Sequence, residues 1–136
     1  MKELTFERVS SHRGLLDFVV SGKSILAELN RQGYDLVPIL RSGLVPIDQK
    51  ARARLLLEEE DELSNGRVAL YTCPCGDYGC GVISVLIEMD GNHFVWSDFR
   101  YENNYDDEFT SSVWLGPFLF AEKAYRDTVM GANATV

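Results

Sequence analysis

Two periods run through the chain. Near the start, Leu4 and Phe6 alternate with Thr5 and Glu7, so Glu3 to Val9 reads as a short strand with one apolar face. Ser10 to Gly14 is turn-like. Leu15 to Val20 is a dense apolar run that reads as a second strand, able to pair with the first as a hairpin. At Ser21-Gly22 the period changes. Ile25, Leu26 and Leu29 fall at helical spacing behind Ser24, a good N-cap, and Gly33 stops the run. Tyr34 to Leu40 carries Pro38 and reads as irregular. Pro46 opens a second helix through Leu57. Its bases lie early and Glu58 to Glu62 crowd its end, opposite to what the helix dipole favours, so the helix should stop before Glu60.

From Arg67 the period of two returns. Arg67–Cys73, Gly81–Met89 and His93–Tyr101 read as consecutive strands, the last two joined by a tight turn at Asp90-Gly91. The result is an antiparallel meander. Asn103 to Glu108 is a polar loop, Val113 to Phe120 an extended segment broken at Gly116-Pro117, and Ala121 to Met130 a closing helix stopped by Gly131. Hairpins mixed with two or three helices predict an α+β fold. The length, 136 residues, and the absence of a low-complexity linker predict one domain over residues 1–136.

Composition narrows the partners more than the fold. The net charge is −8, which repels phosphate backbones and anionic membrane surfaces and makes a nucleic-acid partner a poor fit. There is no long apolar run, and the first residues lack the apolar stretch of a secretion signal. The three cysteines are an odd number and clustered, unlike a secreted disulfide framework. Together these lead to the expectation of a cytoplasmic protein with free or metal-bound thiols. Gly22-Lys23-Ser24 matches only the end of a phosphate-binding loop; its upstream glycine is replaced by Asp17 or Phe18. No serine sits in a nucleophile elbow, so a hydrolase triad has no support.

Two stretches carry candidate chemistry. The first is Cys73-Pro74-Cys75-Gly76-Asp77-Tyr78-Gly79-Cys80-Gly81, the connection between the first two meander strands. A turn lets thiolates converge, so Cys73, Cys75 and Cys80 are candidate zinc ligands, with Asp77, His93 or a water as the fourth. The same residues could form a redox pair, Cys75 or Cys73 with Cys80. Small thiols packed at a turn with no role are the bland alternative. The second stretch runs from Asp98 to Glu108 and carries five acids against one base, together with Phe99, Tyr101 and Tyr105. Aromatics supply contact area and acids supply steering, so Tyr101, Tyr105, Asp106, Asp107 and Glu108 are candidate contacts for a basic protein partner, with Asp98 and Glu102 steering. Asp98, Glu102 and Asp106 could also offer oxygen ligands to a cation, although they lack calcium-loop spacing. Glu58 to Glu62, the second acidic run, reads as a solvated surface.

Several of these segments occur in order with a family likeness. Gly66-Arg67-Val68, Tyr71-Thr72-Cys73, Cys75-Gly76-Asp77-Tyr78-Gly79-Cys80-Gly81, Val95-Trp96-Ser97-Asp98-Phe99, Tyr101-Glu102-Asn103-Asn104-Tyr105 and Leu115-Gly116-Pro117-Phe118 resemble a family of small bacterial proteins of unknown function, some of which carry an oxidoreductase label. The likeness spans residues 66 to 129 and implies a bacterial origin. In that family two residues often separate the first two cysteines; here Pro74 alone separates them, which weakens any role for Cys73 taken from the likeness.

The expectation from the sequence is a non-catalytic acidic protein-binding module of bacteria, in its specific form an immunity protein neutralising a toxin domain. The alternative is a zinc-binding or thiol-redox protein centred on the turn from Cys73 to Cys80.

Overall fold

The structure is a computed structural model that describes residues 1–131 other than Ser11, Leu44, Ser64, Asn104 and Asp107. It is an α+β fold of two antiparallel sheets and three helices.

The opening hairpin forms as the alternation predicts. β1 (Leu4–Arg8) buries Leu4 and Phe6 and exposes Thr5, Glu7 and Arg8. It pairs with β2 (Leu16–Val20), with Phe6 opposite Phe18. A two-residue strand, β3 (Lys23–Ser24), completes this three-stranded sheet. Every residue of β2 is buried, which its four apolar residues favour and Asp17 opposes. Asp17 is tolerated because its carboxylate is fully engaged. It accepts from the Tyr71 hydroxyl at 2.7 Å, from the Leu26 backbone N–H at 3.2 Å and from the Ser24 hydroxyl. Ser24 in turn caps α1 (Ile25–Arg31), accepting the Ala27 N–H at 3.0 Å.

The larger sheet has the order β4 (Val37–Pro38), β5 (Val68–Thr72), β6 (Val82–Asp90), β7 (His93–Glu102), β8 (Thr110–Ser112). The meander β5-β6-β7 is as the sequence predicts. β7 divides its outer edge between two partners: β9 (Phe118–Ala121) on His93–Trp96 and β8 on Arg100–Glu102. The division falls at a bulge. Ser84 faces Arg100 and Leu86 faces Ser97, so Val85 opposes two residues, Asp98 and Phe99, and Asp98 takes φ 53°. Pro38 sits in a two-residue edge strand, where a missing N–H is harmless. α2 (Pro46–Leu55) ends before the acidic run, as its reversed charge order predicts. α3 (Glu122–Met130) closes the fold behind β9.

One apolar cluster runs from Leu4 to Val129 and takes side chains from both sheets and all three helices. Phe18 is its hinge: its ring meets Phe6, Tyr71 and Trp96 edge-on at centroid distances of 5.5 to 5.7 Å. Tyr125 of α3 ties the polar atoms down. Its hydroxyl donates to the Leu55 carbonyl at 2.6 Å and accepts from the Trp96 indole at 3.1 Å, joining α3, α2 and β7. Among the described residues no helix is long and apolar enough to cross a membrane.

Candidate functional site

The thiol turn is built by backbone geometry rather than by packing. After β5, Cys73 to Gly76 closes a turn through Gly76 N–H to Cys73 O at 2.8 Å, with Gly76 at φ 80°. Asp77 then caps a single 3-10 turn, Tyr78–Cys80, by accepting the Gly79 N–H at 2.8 Å. Gly81 N–H to Tyr78 O, at 3.1 Å, leads into β6, and Cys73 N–H to Gly81 O, at 3.3 Å, closes the hairpin. These bonds fold a nine-residue connection back on itself and bring its three sulfurs together.

All three Sγ atoms lie within 4.8 Å of one another. Cys75 and Cys80 are exposed with their sulfurs 3.2 Å apart, and Cys73 is half-buried. The Asp77 backbone N–H points at the Cys75 sulfur from 3.5 Å. That N–H, followed by contacts from Cys80 and Cys73, holds the Cys75 thiol below its ordinary pKa. Cys80 is pushed the other way, to about 12, first because its hydrogen bond to Cys75 favours its protonated form and then by desolvation and the neighbouring negative charge. Cys75 and Cys80 therefore do not ionise alike: their shared hydrogen bond favours the thiolate at Cys75 and the thiol at Cys80.

His93, expected as a possible fourth ligand, is at the wrong end of the sheet. It pairs with Asp90 across the turn that joins β6 to β7, whereas the thiols flank the start of β6. The nine residues of β6 separate them by about 30 Å. Asp77 stays in the turn, and its Oδ1 is already held by Gly79.

Among its described residues the acidic stretch divides into a buried member and exposed ones. Glu102 is only 7% exposed. Its Oε2 accepts from Arg67 Nε at 3.1 Å and from the Ser84 hydroxyl, and its Oε1 accepts from Asn65 at 2.8 Å. Asp98, at the bulge, faces Arg67 Nη1 at 3.0 Å and Arg100 Nε at 3.1 Å. Burial alone would raise its pKa; the Arg100 hydrogen bond and the charges of Arg67 and Arg100 outweigh that and hold it low. Of the two expected steering charges, Glu102 is buried and paired with Arg67, and Asp98 is paired with Arg67 and Arg100 while its side chain stays 42% exposed. They also do not converge with Asp106 as oxygen ligands: among the described residues the only cluster able to hold a metal is the three cysteines.

The rest of the stretch leans on the thiol turn. The Tyr101 hydroxyl donates to the Cys80 carbonyl at 3.2 Å, and its ring meets Tyr34 at 5.2 Å and Phe109 at 5.4 Å. Any Cβ at Gly81 would lie 2.6 Å from Tyr101 Cζ, so glycine is what lets that ring close on the turn. Tyr105 covers Gly79 in the same way while remaining 76% exposed. Asn103 caps the loop by accepting the Tyr105 and Asp106 N–H groups at 3.0 and 2.9 Å. Asp106 and Glu108 are exposed. Asp107, the remaining candidate contact, lies outside the described residues. The structure thus joins two stretches that the sequence presents as separate candidates. Tyr34 and Phe109 complete the patch; neither lies in a motif, and only the pairing of Tyr101 with them reveals it. The second acidic run has one inward member, Asp61. It accepts the Ala69 and Leu63 N–H groups at 3.0 and 3.1 Å, and burial raises its pKa.

Compared with family models, curated proteins and solved structures, the chain matches none.

Proposed function

We propose that Cys73, Cys75 and Cys80 bind one zinc ion, and that the turn so ordered supports the Tyr101–Glu108 segment as a recognition surface for a basic protein partner. The observation that carries this reading is the convergence of the three sulfurs within 4.8 Å in the turn against which Tyr101 and Tyr105 pack, at Gly81 and Gly79. The donor set fits the metal. Tetrahedral zinc with sulfur at about 2.3 Å places sulfurs about 3.8 Å apart, which asks only sub-ångström to ångström adjustments of an exposed turn. A backbone N–H aimed at a ligating sulfur stabilises its thiolate. When bound, zinc would supply the positive charge that lets Cys80 share the thiolate state with Cys75. The partner-facing residues are Tyr105, Asp106 and Glu108, extended by Phe109. A toxin domain met by an immunity-type protein is the partner class that small size, acidity and this patch support.

Native mass spectrometry of protein purified without added metal tests the metal. One zinc per chain, lost in Cys75→Ser and Cys80→Ser, is expected; a bare chain that also fails to take up stoichiometric zinc on titration removes the reading. The surface is tested by capture on immobilised protein. Basic proteins retained by wild type should be lost with Asp106→Lys/Glu108→Lys, and identical retention by both removes this surface.

A second reading is favoured by the 3.2 Å approach of Cys75 and Cys80 and the lowered Cys75 pKa. In it, the Cys75 thiolate attacks a disulfide-bearing oxidant, one thiol of which leaves, and Cys80 then displaces the second to close a Cys75–Cys80 disulfide. Treatment with oxidised glutathione separates the two readings. A two-hydrogen mass loss that blocks zinc uptake marks the pair as redox-competent, and persistent glutathione adducts on Cys75 alone count against it.

A further inference from the structure

At the edge of the core, beside α1, lies a cleft that shares no residue with the thiol turn. It is a cavity of about 680 Å³ between the β2-β3-α1 connection and residues 114–118, within the range of small-molecule sites, about 300–1,000 Å³. Ile25 and Phe118 line its apolar part, and Leu115 and Trp114 face them. Trp114 is 91% exposed, an unusual state for a large aromatic side chain. It is nevertheless anchored: the Gln32 amide donates to the Trp114 carbonyl at 2.9 Å, pinning this loop to the end of α1.

The charges are also out of keeping with the molecule. Lys2, Lys23 and Arg31 line the cleft of a protein whose net charge is −8. Its acid, Glu28, takes hydrogen bonds from Arg31 and Gln32 and is also within electrostatic reach of Lys23, so the lining holds three cations against one anion. Among the described residues neither Lys2 nor Lys23 has an ion-pair partner. A net excess of two positive charges beside an exposed indole selects for a ligand that is flat and apolar at one end and negative at the other. A polyanion is disfavoured, since the rest of the surface repels it.

We propose that this cleft binds a small planar organic anion, its ring system against Trp114, Leu115 and Phe118 and its acid group toward Lys2 and Lys23. The ligand class is an aromatic sulfonate, carboxylate or phosphate of about one to three rings.

Two probes of nearly the same shape test it: 1-anilinonaphthalene-8-sulfonate, and N-phenyl-1-naphthylamine, which lacks the sulfonate. Binding is followed by probe fluorescence on wild type, Trp114→Ala and the double variant Lys2→Glu/Lys23→Glu. All the altered side chains are exposed, and near-UV circular dichroism checks that each variant keeps its fold. Saturable binding of one sulfonate probe per chain is expected. Trp114→Ala should weaken both probes about ten-fold or more, and the charge reversal should weaken the sulfonate about ten-fold while leaving the neutral probe within about two-fold. Non-saturable binding, indifference to Trp114→Ala, or an equal response of both probes to charge reversal overturns the proposal.

Discussion

Replacing Glu102 discriminates sharply between a charge held for the fold and a charge held for a partner. Its side chain and that of Arg67 are 10% and 11% exposed, and Arg67 reaches it at 3.1 Å. Glu102→Ala removes a carboxylate that receives Asn65, Ser84 and Arg67 together. Breaking a buried pair by deleting one partner costs about 3–5 kcal/mol, because the other charge is left without compensation. Here Arg67 keeps Asp98 and the Ser84 oxygens, so the loss should fall at the lower end, about 3 kcal/mol. For a domain of this size that lowers Tm by about 10 °C. Glu102→Gln keeps the shape and an acceptor but loses the charge, and should cost about 1.5–2 kcal/mol. Urea unfolding with unchanged m-value measures both. A cycle with Arg67→Met should return a coupling of about 1–3 kcal/mol. A loss below about 0.5 kcal/mol for Glu102→Ala would refute this account of the network and return Glu102 to the partner-facing set.

Three further outcomes follow from the same geometry. Gly81→Ala forces a side chain into φ 123°, ψ 142° and against the Tyr101 ring, and should cost about 2–4 kcal/mol in chemical unfolding. Tyr125→Phe leaves the Trp96 indole N–H and the Leu55 carbonyl without the hydroxyl that joins them, a loss of about 1–3 kcal/mol read by thermal unfolding. Asp61 has a raised pKa in the folded state, so its contribution to stability is greatest below its unfolded pKa and falls as pH rises through the folded one. The Tm of wild type minus that of Asp61→Asn should therefore decline with rising pH across the acid range, and a difference that grows with pH would show the opposite sign.

The elements were legible where one local rule sufficed. The alternation of Leu4 and Phe6, the cap at Ser24 and the turn at Gly91 each act within a few residues, and each element forms where its pattern places it. β8 was not legible: Thr110-Ser111-Ser112 has no apolar face, and it is a strand only because β7 offers free backbone groups beyond its bulge. The candidate site divides in the same way. Turn chemistry brings three cysteines into one connection, and their convergence follows from that. The inward direction of Glu102 could not be read from a run of acids. It depends on Arg67, thirty-five residues earlier, and on the bulge that presents Asp98 to the same guanidinium. Charge composition names the groups; only the sheet register decides which of them neutralise one another.

The short outer strands have a consequence for behaviour at high concentration. β3 and β4 are two residues long, β8 three and β9 four, and β9 is further engaged by the Lys2 N–H bonding to the Leu119 carbonyl. Among the described residues two five-residue borders lack a strand partner: that of β1, whose exposed positions include Glu7 and Arg8, and residues 86–90 of β6 beyond the reach of β5, where Glu88 and Asp90 are exposed. A second molecule therefore finds few consecutive backbone donors and acceptors to zip onto, and where it finds five they come with charge. Growth of an intermolecular sheet, a common route from a β-rich monomer to fibrils, is disfavoured at its first step while the chain stays folded.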